Sequence, residues 1–570
     1  MIIKENFDKK YVLFDPETTK ERNFLEKFPG LLREGLYFFS PNSHAIVYNL
    51  YSRIRKEIKN IRYTPFVKQL IEEKPPLKEL PETFKFQTEP LPHQKLALQY
   101  LYTHGSAGLL LQPGLGKTKI ILDYIKLLEG KALIFCPLPL LFVWEEELCK
   151  HRNDLSIHLI KSTDWNKEQE KVLISDVVVV NYDKGISLEK NLASIKFDFI
   201  GIDEGLIKNY KTERSKSITR LSKQIPNRVV MSGTLVNNSP IDTFCPIRFI
   251  QPALIGVGIT NFKDYYAITS RSNKNIIVGF KNLPEIKSIL QSCCIVMTKE
   301  EWLPYLPKKV FHKIYVPLPD EQYKAYNELA HNYLTILKNG IEIEVDNALT
   351  LLCKLTQISN GFIYYTDSDE SYNELIGENS KGTKRQAYTF EEQPKIDALH
   401  NLINDTNRLS NLRAIIWFNM KEEYNILSKY LISNNIKFLS VLGGDKEIGS
   451  KVDIFNKDSS YRFIVCQAKS INYGITILGS KSEDSEEVDY LRFRSEVHDE
   501  IFYSLNFSLE IFLQQQDRIH RIGQNKECNY WLILGNTKME KKIADALERK
   551  RHLSRELLID IANLEKEVTG

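Results

Sequence analysis

The sequence predicts an α/β protein with two lobes, each built on a parallel sheet, helical insertions and a small N-terminal α+β domain. Three observations carry this. The 570 residues exceed what one hydrophobic core usually supports, so at least two domains are expected. Short β-branched runs alternate with amphipathic segments in two separate series, the pattern of parallel strands covered on both faces. Glycine-rich and acidic turns follow directly on some of those strands, where a parallel sheet collects its functional groups.

Taken in order, residues 1–84 mix strand and helix character and close on EKPPLKELPET, whose prolines favour extended chain and mark a boundary. Residues 85–250 form the first lobe, with strands expected in KALIFCP, DVVVVNY, FDFIGIDE and RVVMSGT. Residues 251–390 read as helical and irregular, with a polar stretch near 367–387. Residues 391–545 form the second lobe, with strands in RAIIWFN, KFLSVLGG, YRFIVCQ, EIFYSLN and NYWLILG. An acidic then basic insertion, KSEDSEEVDYLRFRSEVHDE, reads as a solvated loop between the third and fourth of these. The charged tail, including 546–570, has apolar residues at helical spacing and should form an amphipathic helix.

Composition bounds the class. The 42% hydrophobic and 26% charged residues are those of a globular protein. Seventy-seven basic against seventy-three acidic side chains leave a net charge of +4, so any polyanion-binding surface must arise from local clustering. The N-terminus lacks the apolar stretch of a secretion signal, and no uninterrupted run of about 18 apolar residues is present. The expectation is a soluble intracellular protein, cytoplasmic in a bacterium or virus-infected cell and nuclear in a eukaryote. Eight scattered cysteines without a CxxC pair suggest reduced thiols rather than a zinc site or disulfide framework.

Three segments carry chemistry. In LLLQPGLGKTKIIL, Gly114 and Gly116 allow the backbone to turn its amides and a helix N-terminus toward phosphate; Lys117 can reach the outer phosphates and Thr118 can hold Mg2+. The strict spacing of a phosphate loop would place a further glycine at Leu111, so the match is incomplete. In FDFIGIDEG, Asp203 and Glu204 follow a buried strand, suited to ordering the metal and polarising an attacking water. In LQQQDRIHRIGQ, Arg518 and Arg521 lie three apart, which on a helix aims both guanidinium groups the same way, toward charge developing on a γ-phosphate. The implied cofactors are ATP and Mg2+.

With these segments in place, the chain over about residues 86–550 resembles the Swi/Snf-type ATPases of helicase superfamily 2. The resemblance implies RecA-like lobes. It makes Gln94 of PLPHQKLALQYL the adenine reader and QPGLGKT, with Gly114, Leu115, Gly116, Lys117 and Thr118, the family's own loop form, which lacks the first glycine. It further implies strand-contacting residues at Pro137 in ALIFCPLPLLFVWEEEL, where the Trp144–Glu147 stretch is also usual, and at Asn181 and Tyr182 in VVVVNYD. Ser232, Gly233 and Thr234 in MSGTLVNNSPID would contact nucleic acid and couple it to hydrolysis, and Ser470 in SINYGITI would join them. Gly474 and Gln514 would lie beside nucleotide, and Arg518 and Arg521 would be its arginine fingers. Two departures stand out: Leu206 where the family often has histidine or glutamine, and Ser232 where threonine is usual.

What the resemblance implies is an ATP-dependent double-stranded DNA translocase acting on branched or protein-bound DNA, by fork regression, annealing or branch migration; a monomer is the working expectation, with oligomeric state and protein partners left open by the sequence. Phosphate rather than base contacts would make binding salt-sensitive and weakly sequence-selective. Three alternatives compete: a chromatin or polymerase remodeller with the same motor, a strand-separating helicase, and a non-catalytic DNA-binding scaffold. Residues 1–84 are either a DNA-substrate recognition domain or a structural cap.

Overall fold

Runs such as VVVVN and AIIWF have no polar face, so they are stable only where both sides of a sheet are covered. The computed structural model shows this twice. It describes residues 1–5, 11–27, 32–34, 37–41, 50, 54, 58, 61–64, 67, 77–205, 207, 209–233, 240–255, 258–270, 277–332, 334–338, 342–345, 348–365, 386–405, 413–445, 447–470, 477, 496–506, 508–545 and 547–548. The chain divides into two compact units, Met1–Pro304 and Tyr305–His552.

The first unit opens with a five-stranded sheet in the order 32–34, 37–41, 11–15, 2–5, 62–63, antiparallel except for its last pair, with the helix Thr19–Lys27. This part has the α+β character expected of residues 1–84, and its apolar residues Ile3, Val12 and Phe14 belong to the same buried cluster as Leu110 and Val178. The unit's larger sheet has seven strands, all parallel, in the order 294–297, 107–111, 227–231, 199–202, 132–136, 177–181, 157–160. The strands Ala107–Leu111, Ala132–Cys136 and Val177–Asn181 are buried along their whole length. The helix Lys117–Leu128 returns from the first of these and buries Ile120, Ile121, Leu122, Tyr124 and Ile125.

The second unit has six parallel strands in the order 309–316, 528–535, 499–502, 414–418, 463–467, 438–441. Separate apolar clusters lie on its two faces, one around Trp417, Cys466 and Tyr530 and the other around Phe418, Val465 and Trp531. Helices Asp320–Asn332 and Ala348–Ser359, with the antiparallel strand pairs 334–336 with 342–344 and 362–365 with 386–389, enclose a third cluster around Leu329, Ile358 and Phe390. Beside the sheet a buried polar group is fully engaged: Lys395 Nζ meets Glu540 Oε1 at 2.9 Å and Oε2 at 3.0 Å and donates to Asn360 Oδ1 at 2.7 Å. Asn360 in turn donates to Glu423 at 2.8 Å.

Both sheets gain edge strands that periodicity did not reveal. Ile157–Ile160 and Cys294–Met297 complete the first, and Lys309–Val316 completes the second. The last two come from the stretch that read as helical and irregular. The expected polar segment lies mostly outside the described residues, as do the insertion after 480, up to 495, and the tail beyond 548.

Candidate nucleotide site and motor motifs

Three neighbouring strands, 107–111, 227–231 and 199–202, run parallel, so their C-terminal ends open on one edge of the first sheet. Each ends in one of the predicted motifs. After Leu111 the chain turns through Gly114 at φ 91° and Gly116 at φ 79°, left-handed backbone that favours glycine, and enters the helix beginning at Lys117. First-turn amides of that helix are without intrahelical partners, which is what an anion binds. Lys117 Nζ donates to Leu111 O at 3.1 Å, folding the ammonium back over the loop.

Gln94 packs against the same loop. Its Oε1 accepts from Leu91 N at 3.0 Å and its Nε2 donates to Leu115 O at 3.4 Å, while a Cβ at Gly116 would collide with Nε2. His93 Nε2 lies 2.9 Å from Leu115 O as its donor, and burial holds the imidazole below its ordinary pKa while that bond draws it back up. Behind the loop, Gln112 accepts from Lys299 N at 2.7 Å and donates its own amide to Met297 O at 3.2 Å. The edge strand 294–297 thereby braces the turn.

At the end of Phe199–Ile202, Asp203 is buried, and Glu204 and Gly205 both adopt positive φ, 59° and 56°. Asp203 Oδ2 accepts from Trp144 Nε1 at 3.0 Å and Oδ1 from Glu204 N at 3.0 Å; Tyr182 OH donates to Asp203 O. Burial, then the charge of Glu204, push the Asp203 carboxyl up, while Lys117 and Trp144 draw it back. Lys117 and Asp203 thus act on one another across the strand ends. The third motif joins them: Ser232 N donates to Leu109 O at 3.0 Å, a Cβ at Gly233 would press on Pro113 at 2.9 Å, and one at Gly205 would touch Ser232 at 3.4 Å.

The structure therefore gathers Gln94, Gly114, Leu115, Gly116, Lys117, Asp203, Glu204, Ser232 and Gly233 at one sheet edge. Thr118 occupies the first turn of the helix that leaves the loop. A buried carboxylate facing an ammonium, beside a glycine turn feeding a helix, fits a phosphate chain with a divalent cation; Thr118 and Asp203 are the residues to hold that cation. Pro137 caps the short turn Leu138–Leu140, accepting from Leu140 N at 2.9 Å. Asn181, at the end of its strand, keeps a buried Oδ1 without a hydrogen-bond partner among the described residues. Tyr182 is buried, its ring under the Arg214 guanidinium at 4.8 Å and its hydroxyl spent on Asp203.

In the second unit the arginine segment departs from expectation. The helix ends at Gln516 with Asp517 as its cap, so Arg518 and Arg521 stand in the turns beyond it, not on a common helical face. Pairing tightens there to shorter steps, Arg518 N to Gln515 O at 2.9 Å and Arg521 N to Ile519 O at 3.1 Å, before Gly523 turns at φ 98°. Arg518 is buried and its Nε donates to Gln514 O at 2.9 Å; Arg521 Nε donates to Asp517 O. Gln514 is buried, and Ser470 follows its strand with its amide on Gln467 O at 2.9 Å. Leu206, Thr234 and Gly474 lie outside the described residues.

Sequence reasoning assigned no role to His93, Gln112 or Trp144, which hold the loop and the carboxylate. His93 adjoins Gln94, and Gln112 and Trp144 fall in stretches already singled out; the bracing role of Gln112 was hidden because its partner is 187 positions away.

A glycine turn at the mouth of a parallel sheet, with a buried carboxylate two strands away, defines a phosphate-loop nucleotide-binding α/β protein. Residues 93–362 match the model of the SNF2-related domain. The chain thus contains an SNF2-related domain, and each of its two units carries a large parallel sheet. It is 22% identical over 451 residues to the TATA-binding protein-associated factor mot1 of Aspergillus fumigatus, covering 72% of this chain and 22% of that one. It is 24% identical to the uncharacterized ATP-dependent helicase MG018 of Mycoplasma genitalium, covering 80% and 40%, and 24% identical to the DNA repair and recombination protein RAD54 of Saccharomyces cerevisiae, covering 77% and 52%. The chain thus spans from about a fifth to about half of these relatives' length. Among solved structures it is similar to the Sulfolobus solfataricus SWI2/SNF2 ATPase core in complex with dsDNA, at 21% identity and TM-score 0.38, covering 84% of this chain and 95% of that one.

Proposed function

We propose that the chain is a DNA-dependent ATPase that translocates on double-stranded DNA and remodels branched or protein-bound DNA. The observation that carries the ATPase part is the convergence of Lys117, Asp203 and Glu204 at the ends of neighbouring parallel strands. Relatives whose names concern DNA repair and recombination support the DNA part.

In this reading the loop amides and Lys117 bind the phosphates of ATP, and Gln94 reads the base. Thr118 and Asp203 hold Mg2+, which supplies charge neutralisation when bound. Glu204 orients and deprotonates the attacking water, and Arg518 and Arg521 stabilise charge on the γ-phosphate. Pro137, Asn181, Ser232, Gly233 and Ser470 belong to the surface that follows a DNA backbone, which reads phosphates and not bases.

The test is ATP turnover without DNA and with single-stranded, duplex and forked DNA, run beside triplex displacement. Duplex stimulation with triplex displacement supports the reading. Stimulation by single strands alone, with duplex inert, selects a strand-separating helicase. Turnover that persists in Glu204→Gln removes the assigned chemistry altogether. Deleting residues 1–84 and comparing forked with linear duplex asks whether that domain finds branches; an unchanged fork preference assigns it to the cap.

A further inference from the structure

The helix Lys117–Leu128, which leaves the phosphate turn, hides charge on its inner face. Lys119 and Asp123 stand one helical turn apart, both buried, and Lys119 Nζ donates to Asp123 Oδ2 at 2.8 Å. The other oxygen, Asp123 Oδ1, accepts from Arg152 Nε at 2.8 Å, and Arg152 is 2% exposed. Asp154 lies 3.8 Å from Arg152 Nη1, but it is partly exposed and is shared with Lys126 at 2.9 Å. Arg152 Nη2 has no hydrogen-bond partner among the described residues. Two enclosed cations on one enclosed carboxylate, with a donor left over, make a poor device for stability alone, since an apolar trio of similar volume serves as well or better. Such a group is better suited to fixing one arrangement of the elements that carry it.

Arg152 caps the helix Leu141–His151, its amide on Leu148 O at 2.7 Å. Toward the other end of that helix, Trp144 Nε1 donates to Asp203 Oδ2 at 3.0 Å. One rigid element therefore holds the carboxylate that follows strand Phe199–Ile202 and, about 12 Å further along, the helix that begins with Lys117 and Thr118. The segment 84–88 straps this junction from outside. Arg152 Nη1 donates to Lys85 O at 2.9 Å, and the guanidinium lies 4.8 Å from the centre of the Phe84 ring. Phe86 packs edge-on to Phe84 at 5.1 Å and covers Lys119 at 5.4 Å, while Thr88 Oγ1 lies 2.7 Å from His151 Nδ1.

Resting on the reading of Lys117, Thr118 and Asp203 as the residues that hold nucleotide and metal, we propose that Arg152 is a positioning residue for that site. It locks the phosphate-loop helix to the helix that grips Asp203, and the strap 84–88 keeps it in place. Arg152 acts through its bond to Asp123 and not on the nucleotide itself.

Arg152→Lys keeps a cation, but one ammonium cannot reproduce the planar fork that serves Asp123 and Lys85 O together. Binding of the fluorescent, non-hydrolysable analogue N-methylanthraniloyl-AMPPNP to the full chain is titrated with Mg2+ and with EDTA, at a temperature where melting curves show each variant folded. Mg2+ tightens binding only if Thr118 and Asp203 are held at the right separation, so R152K should reduce the Mg2+-dependent gain in affinity by roughly tenfold and leave affinity in EDTA within about twofold of wild type. A role in stability alone lowers the melting temperature and leaves both affinities as they were; that result, or an equal loss with and without Mg2+, overturns the proposal. Asp203→Asn separates it from the reading on which it rests. If D203N keeps the whole Mg2+ gain, Asp203 does not hold the metal and the proposal falls with that reading; if D203N loses the gain and R152K keeps it, the proposal alone falls. Should R152K not fold, Phe84→Leu loosens the strap without touching a charge and should reduce the Mg2+ gain by about threefold, the worth of one exposed cation–ring contact. An unchanged gain in F84L then overturns the proposal.

Discussion

Glu204 stands in left-handed backbone, at φ 59° and ψ 13°, and so does the residue after it. For an ordinary L-residue this conformation costs about 1–2 kcal/mol, and asparagine bears it better than glutamate or glutamine. The turn needs it: it bends the chain sharply at the strand end, where Asp203 Oδ1 accepts the Glu204 amide at 3.0 Å. Glu204→Gln keeps the strain and Glu204→Asn relieves part of it, so the Asn variant should be the more stable by about 0.5–1 kcal/mol. For a unit of this size that is an increase of roughly 1–4 °C in melting temperature, readable by calorimetry. Both variants should lose about 10²–10⁴ in turnover, because neither carries a general base. Gly205→Ala provides the opposite sign: its Cβ would meet Ser232 only at ordinary contact distance, 3.4 Å, so its loss of about 1 kcal/mol reports backbone strain alone. If Glu204→Asn melts with or below Glu204→Gln, strain is not stored at this turn and the left-handed geometry has another cause.

Gly116→Ala should weaken nucleotide binding by roughly tenfold or more, since the new methyl meets left-handed backbone and Gln94 together; titration with a fluorescent ATP analogue measures it, and wild-type affinity in the variant would refute it. Lys395→Met leaves Glu540 buried without its cation and should destabilise the second unit by about 3–5 kcal/mol in urea unfolding, with Glu540→Gln recovering part of it. Burial pushes the Glu423 and Asp499 carboxyls up, so the folded state retains protons that the unfolded chain releases. Stability should therefore fall as pH rises from the ordinary carboxylate range through their raised values, and Glu423→Gln should flatten that slope in melts taken from pH 5 to pH 8.

How much of this was legible beforehand follows from where each interaction lies along the chain. The buried strands Val177–Asn181 and Ala414–Phe418 announce themselves because their evidence is local, four valines in a row in the first and five apolar residues in the second. Lys309–Val316 joins the second sheet just as firmly, but its alternating pattern, with His312 stacked on Trp531 at 3.9 Å, resembles an exposed hairpin until its partner 528–535 is known. The site divides the same way. Gly114, Gly116 and Lys117 are readable because a phosphate turn is made within one short segment. Arg518 and Arg521 were readable as residues but not as geometry, since their three-residue spacing implies a shared face only while the helix lasts, and it stops at Gln516.

That break has a physical consequence for the motor. A helical pair would present two guanidinium groups as a rigid unit, fixed by the i to i+3 geometry. In the turn, each arginine is instead tied to a backbone carbonyl four residues earlier, Arg518 to Gln514 and Arg521 to Asp517. One tie of each arginine is therefore to its own stretch of backbone, and their orientation depends on what else surrounds them. Arg518 is buried, whereas Arg521 is only partly buried. The two should accordingly make separable contributions to turnover rather than act as one unit. ATP turnover of R518M, R521M and the double variant measures this: single effects that multiply in the double variant show independence, and a double variant no slower than the slower single would mean that the two arginines act as one.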